Sequence, residues 1–301
     1  MPLYTTLASL SQTAASNVAD GSVDAPSTID QQTNLLASFI AQLRDGNGFA
    51  TGLANVGQCR LAKSGSNLLL SPYGGNGLTI NGVVCKIPSA GVTLAPTSLL
   101  AGTTYYIYAY MNSGTMTLEA STTGHSTDTA TGVEIKTGDA TRTLVGMARP
   151  IAGPVWADSL NQRFVVSWFN QRDLHLQFSL SNNAGLTSVS LAVIAAGWRI
   201  EFLTWANSVP FSFAGHVTCS STTTVGTTNI AVDGATTDAV SAIASATAGG
   251  FANPSLATRV DLSEGYHYAE PWGRSSDGNT VNYQGSISAP QRCVIYGSVR
   301  G

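Results

Sequence analysis

The run Leu78-Thr-Ile80, Asn81-Gly82, Val83-Val-Cys-Lys-Ile87 leaves this chain the fewest options. Both central residues of a two-residue hairpin turn need positive φ, which Asn-Gly supplies, and alternating apolar residues flank the pair. Pro88 then stops the second strand, because it has no N–H to give to a ladder. The same texture recurs. Thr104 to Tyr110 is dense in β-formers, Asn112-Ser-Gly114 turns the chain, and Met116 to Ala120 returns. Residues 121–139 read as a polar loop in which Val133 and Ile135 offer a strand, and Thr141 to Arg149 is one strand more. Pro150 to Pro154 reads as a linker, the best internal boundary.

The second half carries longer strands of the same kind. Candidates are Arg163 to Asn170, Leu174 to Leu180, Thr187 to Ala195, Arg199 to Trp205, Pro210 to Thr218, Thr228 to Val232, Thr258 to Leu262, Gly265 to Trp272 and Val294 to Val299. Short strands broken by frequent turn signals, with no helical period, argue for a β-sandwich or jelly roll. Gly249-Gly250 and Asp277-Gly-Asn279 mark surface loops. The fold expected is mainly β: a short N-terminal arm and helix (1–50), a small β-domain (51–152), and a C-terminal jelly-roll-like sandwich (153–301).

Charged residues make up 10% of the 301, against about a quarter in ordinary domains. Ser, Thr, Ala, Gly and Asn stand where Lys and Glu would be, which suits β-structure packed on copies of itself. A net charge of −3 without a Lys/Arg cluster argues against nucleic acid and against attachment to anionic membrane. No basic leader and no apolar run of membrane-spanning length are visible, so an unexported chain with no membrane insertion is expected. Cys59, Cys85, Cys219 and Cys293 show no C-x-x-C pair and no zinc spacing with His, and read as reduced thiols.

The one convincing helix is Ser27 to Gly46. Ser27 and Asp30 form an S-x-x-D capping box, Arg44 suits the negative end of the dipole, and Gly46 is placed as C′. Ile29, Leu36, Ile40 and Leu43 fall on one stripe that Phe39 and Leu35 widen. The preceding arm, Leu7 to Asp24, is small and polar and cannot bury a core of its own. An extended arm before one short apolar helix has the make-up of a docking device.

The chemistry is sparse. His267 stands between Tyr266 and Tyr268 near Glu264 and Glu270, but strand alternation puts it on the opposite face from Glu264. His125 with Asp128 and Asp139 lies in a polar loop. Glu119 with Glu134, or Asp261 with Glu264, are the carboxylate pairs open to a glycosidase reading. No nucleophile-elbow, phosphate-loop or dinucleotide fingerprint is present. No catalytic residue, metal or cofactor is expected. Trp272 and Tyr283 flank the loop carrying Arg274 and Asp277, and aromatic faces beside short polar groups suit sugar binding.

Taken in order, three stretches resemble bacteriophage tail-fibre and virion-fibre proteins: LSQTAASNVADGSVDAPSTIDQQTNLLASFIAQLRDG, then TTYYIYAYMNSGTMTLEAST with GVEIKTGDATRTLVGMARP, then LSEGYHYAEPWGRSSDGNT with CVIYGSVRG. The resemblance implies a non-enzymatic homotrimeric fibre, made in the bacterial cytoplasm and carried on the virion. Residues 1–50 would dock to a tail protein of adaptor, nozzle or baseplate type, or to the capsid, through Ile29, Leu36, Phe39, Ile40 and Leu43. The distal domain would meet a host glycan or protein through Trp272, Arg274, Asp277 and Tyr283. A short polysaccharide-degrading spike and a capsid decoration fibre without a receptor are the alternatives.

Overall fold

A computed structural model describes Leu36 and residues 57–244, 247–285 and 292–301. The helix expected at 27–46, with Ile29, Phe39, Ile40 and Leu43, lies outside the described residues. Leu36 alone is described there, helical and 50% exposed. The described chain is mainly β. It divides into two compact units that interleave along the sequence: the first takes in 70–93 and 107–145, the second 61–69, 94–106 and 146–301. The break expected between residues 152 and 153 therefore falls inside the second unit. There Pro150–Ile151 pairs antiparallel with Val155–Trp156, so the Gly-Pro segment is the turn of a hairpin rather than a linker.

In the first unit the Asn-Gly hairpin forms as the residues require. Gly77–Ile80 pairs with Val83–Lys86, and Asn81 and Gly82 take φ of 50° and 74°. The second hairpin, Tyr105–Asn112 with Thr115–Ser121, belongs to a sheet that continues through Asp139–Ala148, Glu134–Lys136 and His125–Thr127. Ile107, Tyr108, Leu118, Leu144 and Val145 are buried. Tyr108 satisfies its hydroxyl on the Thr123 carbonyl at 2.8 Å, and Thr143 Oγ1 donates to the Thr79 carbonyl at 2.7 Å. The polar stretch 121–139 thus supplies two short strands where one was expected.

The second unit is built on eight strands: β1 Asp173–Ser179, β2 Ile200–Thr204, β3 Ser208–Ala214, β4 Val225–Val232, β5 Ala235–Ala244, β6 Ser255–Asp261, β7 Gly265–Ser275 and β8 Val294–Arg300. One sheet has the order β1-β8-β3-β6 and the other β2-β7-β4-β5. Every neighbouring pair is antiparallel. Consecutive strands change sheet except at the β4–β5 hairpin, and the first strand pairs with the last, which is the order of a jelly roll. Shorter strands extend it: Gln162–Arg163 runs parallel to β2, and Ala192–Val193 pairs with β7.

Alternation decides which side chains fill the sandwich. Leu174 and Leu176 of β1, Ile200 and Phe202 of β2, Phe211 and Phe213 of β3, Ile230 of β4 and Ile295 of β8 are buried. The rings of Phe202 and Phe211 meet at 5.7 Å, and Trp198 packs edge-on to Phe213 at 5.9 Å. Each such side chain contributes roughly 1.5–3 kcal/mol when fully buried. β5 is the strand the sequence does not announce. Its residues are small, it pairs only with β4, and Val240 is 56% exposed, so no apolar face marks it. Its register comes from the Asp233-Gly234 turn (φ 50° and 78°) and from a bulge at Asn229, whose Nδ2 donates to the Thr237 and Ala239 carbonyls at 2.7 Å each.

Candidate receptor-contact site

The four residues expected to meet a receptor do not converge. Along β7 the odd positions from His267 to Ser275 are buried, whereas Trp272 is half-buried and Arg274 exposed on the other face. Tyr283 lies beneath the strand: a Cβ added to Gly273 would stand 2.3 Å from its hydroxyl. That hydroxyl is bonded to Thr228 Oγ1 at 3.1 Å and to the Thr227 carbonyl at 3.2 Å, and the side chain has no exposure. Burial pushes the Tyr283 phenol above its ordinary range. Tyr283 is therefore a core residue of this chain, correcting its reading as a contact residue; two aromatics near one loop fell on opposite sides of a strand.

Asp277 is exposed but fully occupied. It accepts from Thr224 Oγ1 at 3.0 Å, Ser275 Oγ at 3.2 Å, and the Asn279 backbone and side-chain amides at 3.1 and 2.9 Å. Desolvation raises its carboxyl, and the Asn279, Thr224 and Ser275 bonds outweigh that and hold it below the usual range. It shapes the loop. Trp272 spends its indole N–H on Glu270 at 3.0 Å, and Arg274 is exposed with its Nε 3.5 Å from Thr227 Oγ1.

The other candidates resolve into structural pairs. His267 is buried, with Nδ1 2.6 Å from Asp233 Oδ2 and Nε2 3.0 Å from the Ser263 carbonyl. Asp233 also accepts from the Tyr268 amide at 3.0 Å, so the pair ties the β4–β5 turn to β7. Glu264 accepts from Tyr106 Oη at 2.6 Å, and Tyr266 Oη donates to Glu201 at 2.6 Å. In the first unit His125 meets Glu134, which also takes the Thr127 hydroxyl, rather than Asp128 or Asp139. Glu119 accepts from Lys136 and, at 2.7 Å, from Arg142, whose guanidinium also stacks 3.8 Å over the Tyr110 ring. Burial raises both glutamates, but these partners prevail and hold each below the usual carboxylate range. A glycosidase acid needs the reverse shift. Among the described residues no group of three or more His, Cys, Asp and Glu side chains is arranged to hold a metal ion.

A surface absent from the sequence reading lies on the outer face of the β1-β8-β3-β6 sheet. The buried residues Ile295, Gly297 and Val299 point inward, so Tyr296 stands outward. Its cross-strand neighbours are Gln177 and Ser212, and the His175 ring lies 6.0 Å away at 35°. The signal was available in Val-Ile-Tyr-Gly-Ser-Val, where alternation sends Tyr296 to the opposite side from Ile295.

No known protein family matches this chain, and no curated protein does. Solved structures give distant likenesses. The insecticidal δ-endotoxin Cry8Ea1 of Bacillus thuringiensis is 10% identical with a TM-score of 0.29, over 80% of this chain and 52% of the toxin. The VP2 subviral particle of infectious bursal disease virus is 14% identical at 0.27, over 87% and 82%. A β-porphyranase of glycoside hydrolase family 86 from the human gut bacterium Bacteroides plebeius is 11% identical at 0.25, over 83% and 38%. The chain spans about half the length of the toxin and less of the porphyranase. Likenesses of this order identify neither a common fold nor a common function.

Proposed function

We propose that the chain is a structural subunit of a bacteriophage virion fibre, made in the host cytoplasm. Residues 1–50 dock it to the particle, at the tail rather than the capsid, and the C-terminal sandwich contacts the host surface. One observation carries the reading: the strand order β1-β8-β3-β6 over β2-β7-β4-β5. Jelly rolls recur in viral capsid and lectin domains, where a rigid sandwich displays a binding surface. The low charge of the sequence and the 56% exposure of Val240 and Phe251 favour self-association, and the fibre reading makes the subunit a homotrimer.

Gold-labelled antibody against the second unit should decorate one defined site on intact virions, and the purified chain should compete with phage for adsorption to host cells. Label confined to the unassembled fraction of a lysate refutes the reading. Shortening of host polysaccharide by the purified chain would replace it with a depolymerase. Light scattering should give three times the monomer mass of 31.1 kDa.

A further inference from the structure

We infer that the groove where β3, β6 and β8 meet is a binding site for a carboxylate-bearing saccharide. The inference rests on the reading of the C-terminal unit as the host-contacting head, and names its site and ligand class. The groove has a volume of about 500 Å³, and His216, Asn253, Ser255, Arg292 and Tyr296 line it. Beneath them Pro254 and Val294 are buried and give it an apolar floor. Strand pairing builds the arrangement: Ala214 is opposite Val294 on one side and Ser255 on the other, which puts the end of β3 between the starts of β8 and β6.

Three features fix the chemistry. No acidic side chain lines the groove. Arg292 is exposed and, among the described residues, has no carboxylate within ion-pair distance. In a chain this poor in charge, a guanidinium left unpaired beside a cavity is a ready acceptor of an anion, and its planar fork matches a carboxylate bidentately. Asn253, Ser255 and Tyr296 bring an amide and two hydroxyls to the same cavity. Among the described residues none of those side chains is committed to a hydrogen bond, so all three are left for ring hydroxyls. Tyr296 adds an aromatic body for the C–H-rich face of a sugar, and His216, edge-on to Phe251 at 6.0 Å, lines the same cavity. A neutral glycan would leave Arg292 unmatched, and a free small anion would leave the ring and the three polar tips unused.

The test uses the purified full-length chain and calorimetric titration with two carboxylated probes: a galacturonic acid tetramer and an oligomer of N-acetylneuraminic acid. Their carboxyl-reduced counterparts serve as neutral controls. At least one acidic probe should bind, its reduced form should not, and affinity should fall as salt rises. Arg292→Gln should weaken binding by about tenfold or more, since the lost contact is charge-assisted. Tyr296→Ala should also weaken it while the melting temperature reports an intact fold. Arg259→Gln, an exposed cation on β6 outside the groove, should leave binding unchanged. No binding of either acidic probe, equal binding of a reduced form, or wild-type affinity in Arg292→Gln overturns the inference. Saccharide binding by a chain that antibody fails to find on virions would defeat the fibre reading alone, and a virion-borne chain that binds neither probe would defeat this site alone.

Discussion

Replacing Tyr283 with Phe separates a core residue from a contact residue. The ring stays and the hydroxyl goes, stranding Thr228 Oγ1 at 3.1 Å and the Thr227 carbonyl at 3.2 Å in a buried place. A neutral hydrogen bond contributes about 0.5–1.5 kcal/mol, and a buried group left without its partner costs about 1–3 kcal/mol. Thr227 sits in the β4 ladder and Thr228 has its own hydroxyl to reorient, so the lower part of the range applies, about 1.5 kcal/mol. In a unit of this size each kcal/mol moves the melting temperature by about 2–4 °C, giving a fall of about 3–6 °C. Tyr283→Ala removes the ring as well and should cost about 3–5 kcal/mol. Circular dichroism melts measure both, and host-cell adsorption by the folded Phe variant should equal that of the parent. An unchanged melting temperature together with lost adsorption would refute the reasoning, because it would put the hydroxyl at a ligand rather than under Gly273.

The thiols give a second check. None of the four forms a disulfide, so denatured protein should show four by thiol titration without reductant. In the folded state burial pushes Cys59 up to about 12 and Cys293 up to about 11, so half-buried Cys85 should react first at pH 8. Glu119 supplies a pH dependence. Its folded pKa is depressed by Lys136 and Arg142, so its contribution is present above the unfolded value of 4.5 and lost as pH falls through the folded value. Glu119→Gln should flatten the acid limb of a stability–pH curve by about 0.5 kcal/mol, and an unchanged limb would count against the pair. If the proposed fibre reading holds, replacing Leu36 and Ile40 by Asp should strip the protein from virions while leaving the melting temperature of the purified protein within a degree or so, since each apolar side chain buried at a docking surface contributes about 1.5–3 kcal/mol. Dissociation of the purified trimer would place the helix in the fibre's own core.

Local chemistry made much of this architecture readable, and the failures share one cause. Asn81-Gly82 and Ser113-Gly114 dictate their turns through φ, and the β7 and β8 strands announce themselves through bulky residues. β5 escaped because Ala and Ser carry little strand signal, and its place is set by a turn and a bulge. Pro150 to Pro154 looked like a linker because Gly and Pro mark tight turns and domain joints alike. The contact residues were harder still. Trp272 and Tyr283 share a stretch of sequence but are divided by the body of β7, whereas His216, Ser255 and the Arg292–Tyr296 segment are far apart in sequence and meet only because β3 pairs with both β6 and β8. A site that depends on strand order is invisible until the order is known.

That order also governs how the molecule comes into being. β8 lies between β1 and β3, so a nascent chain that has not yet delivered Val294–Arg300 holds two half-sheets with a slot between them. Closing the slot joins β8 to β1, more than a hundred positions away, and to β3, about eighty positions away, at a loop-entropy cost met before any contact repays it. Until then the facing edges of β1 and β3 keep the backbone N–H and C=O groups that β8 will pair. The sandwich is therefore complete only once β8 has been made, and a chain stopped short of it holds an open slot to which any free strand can add.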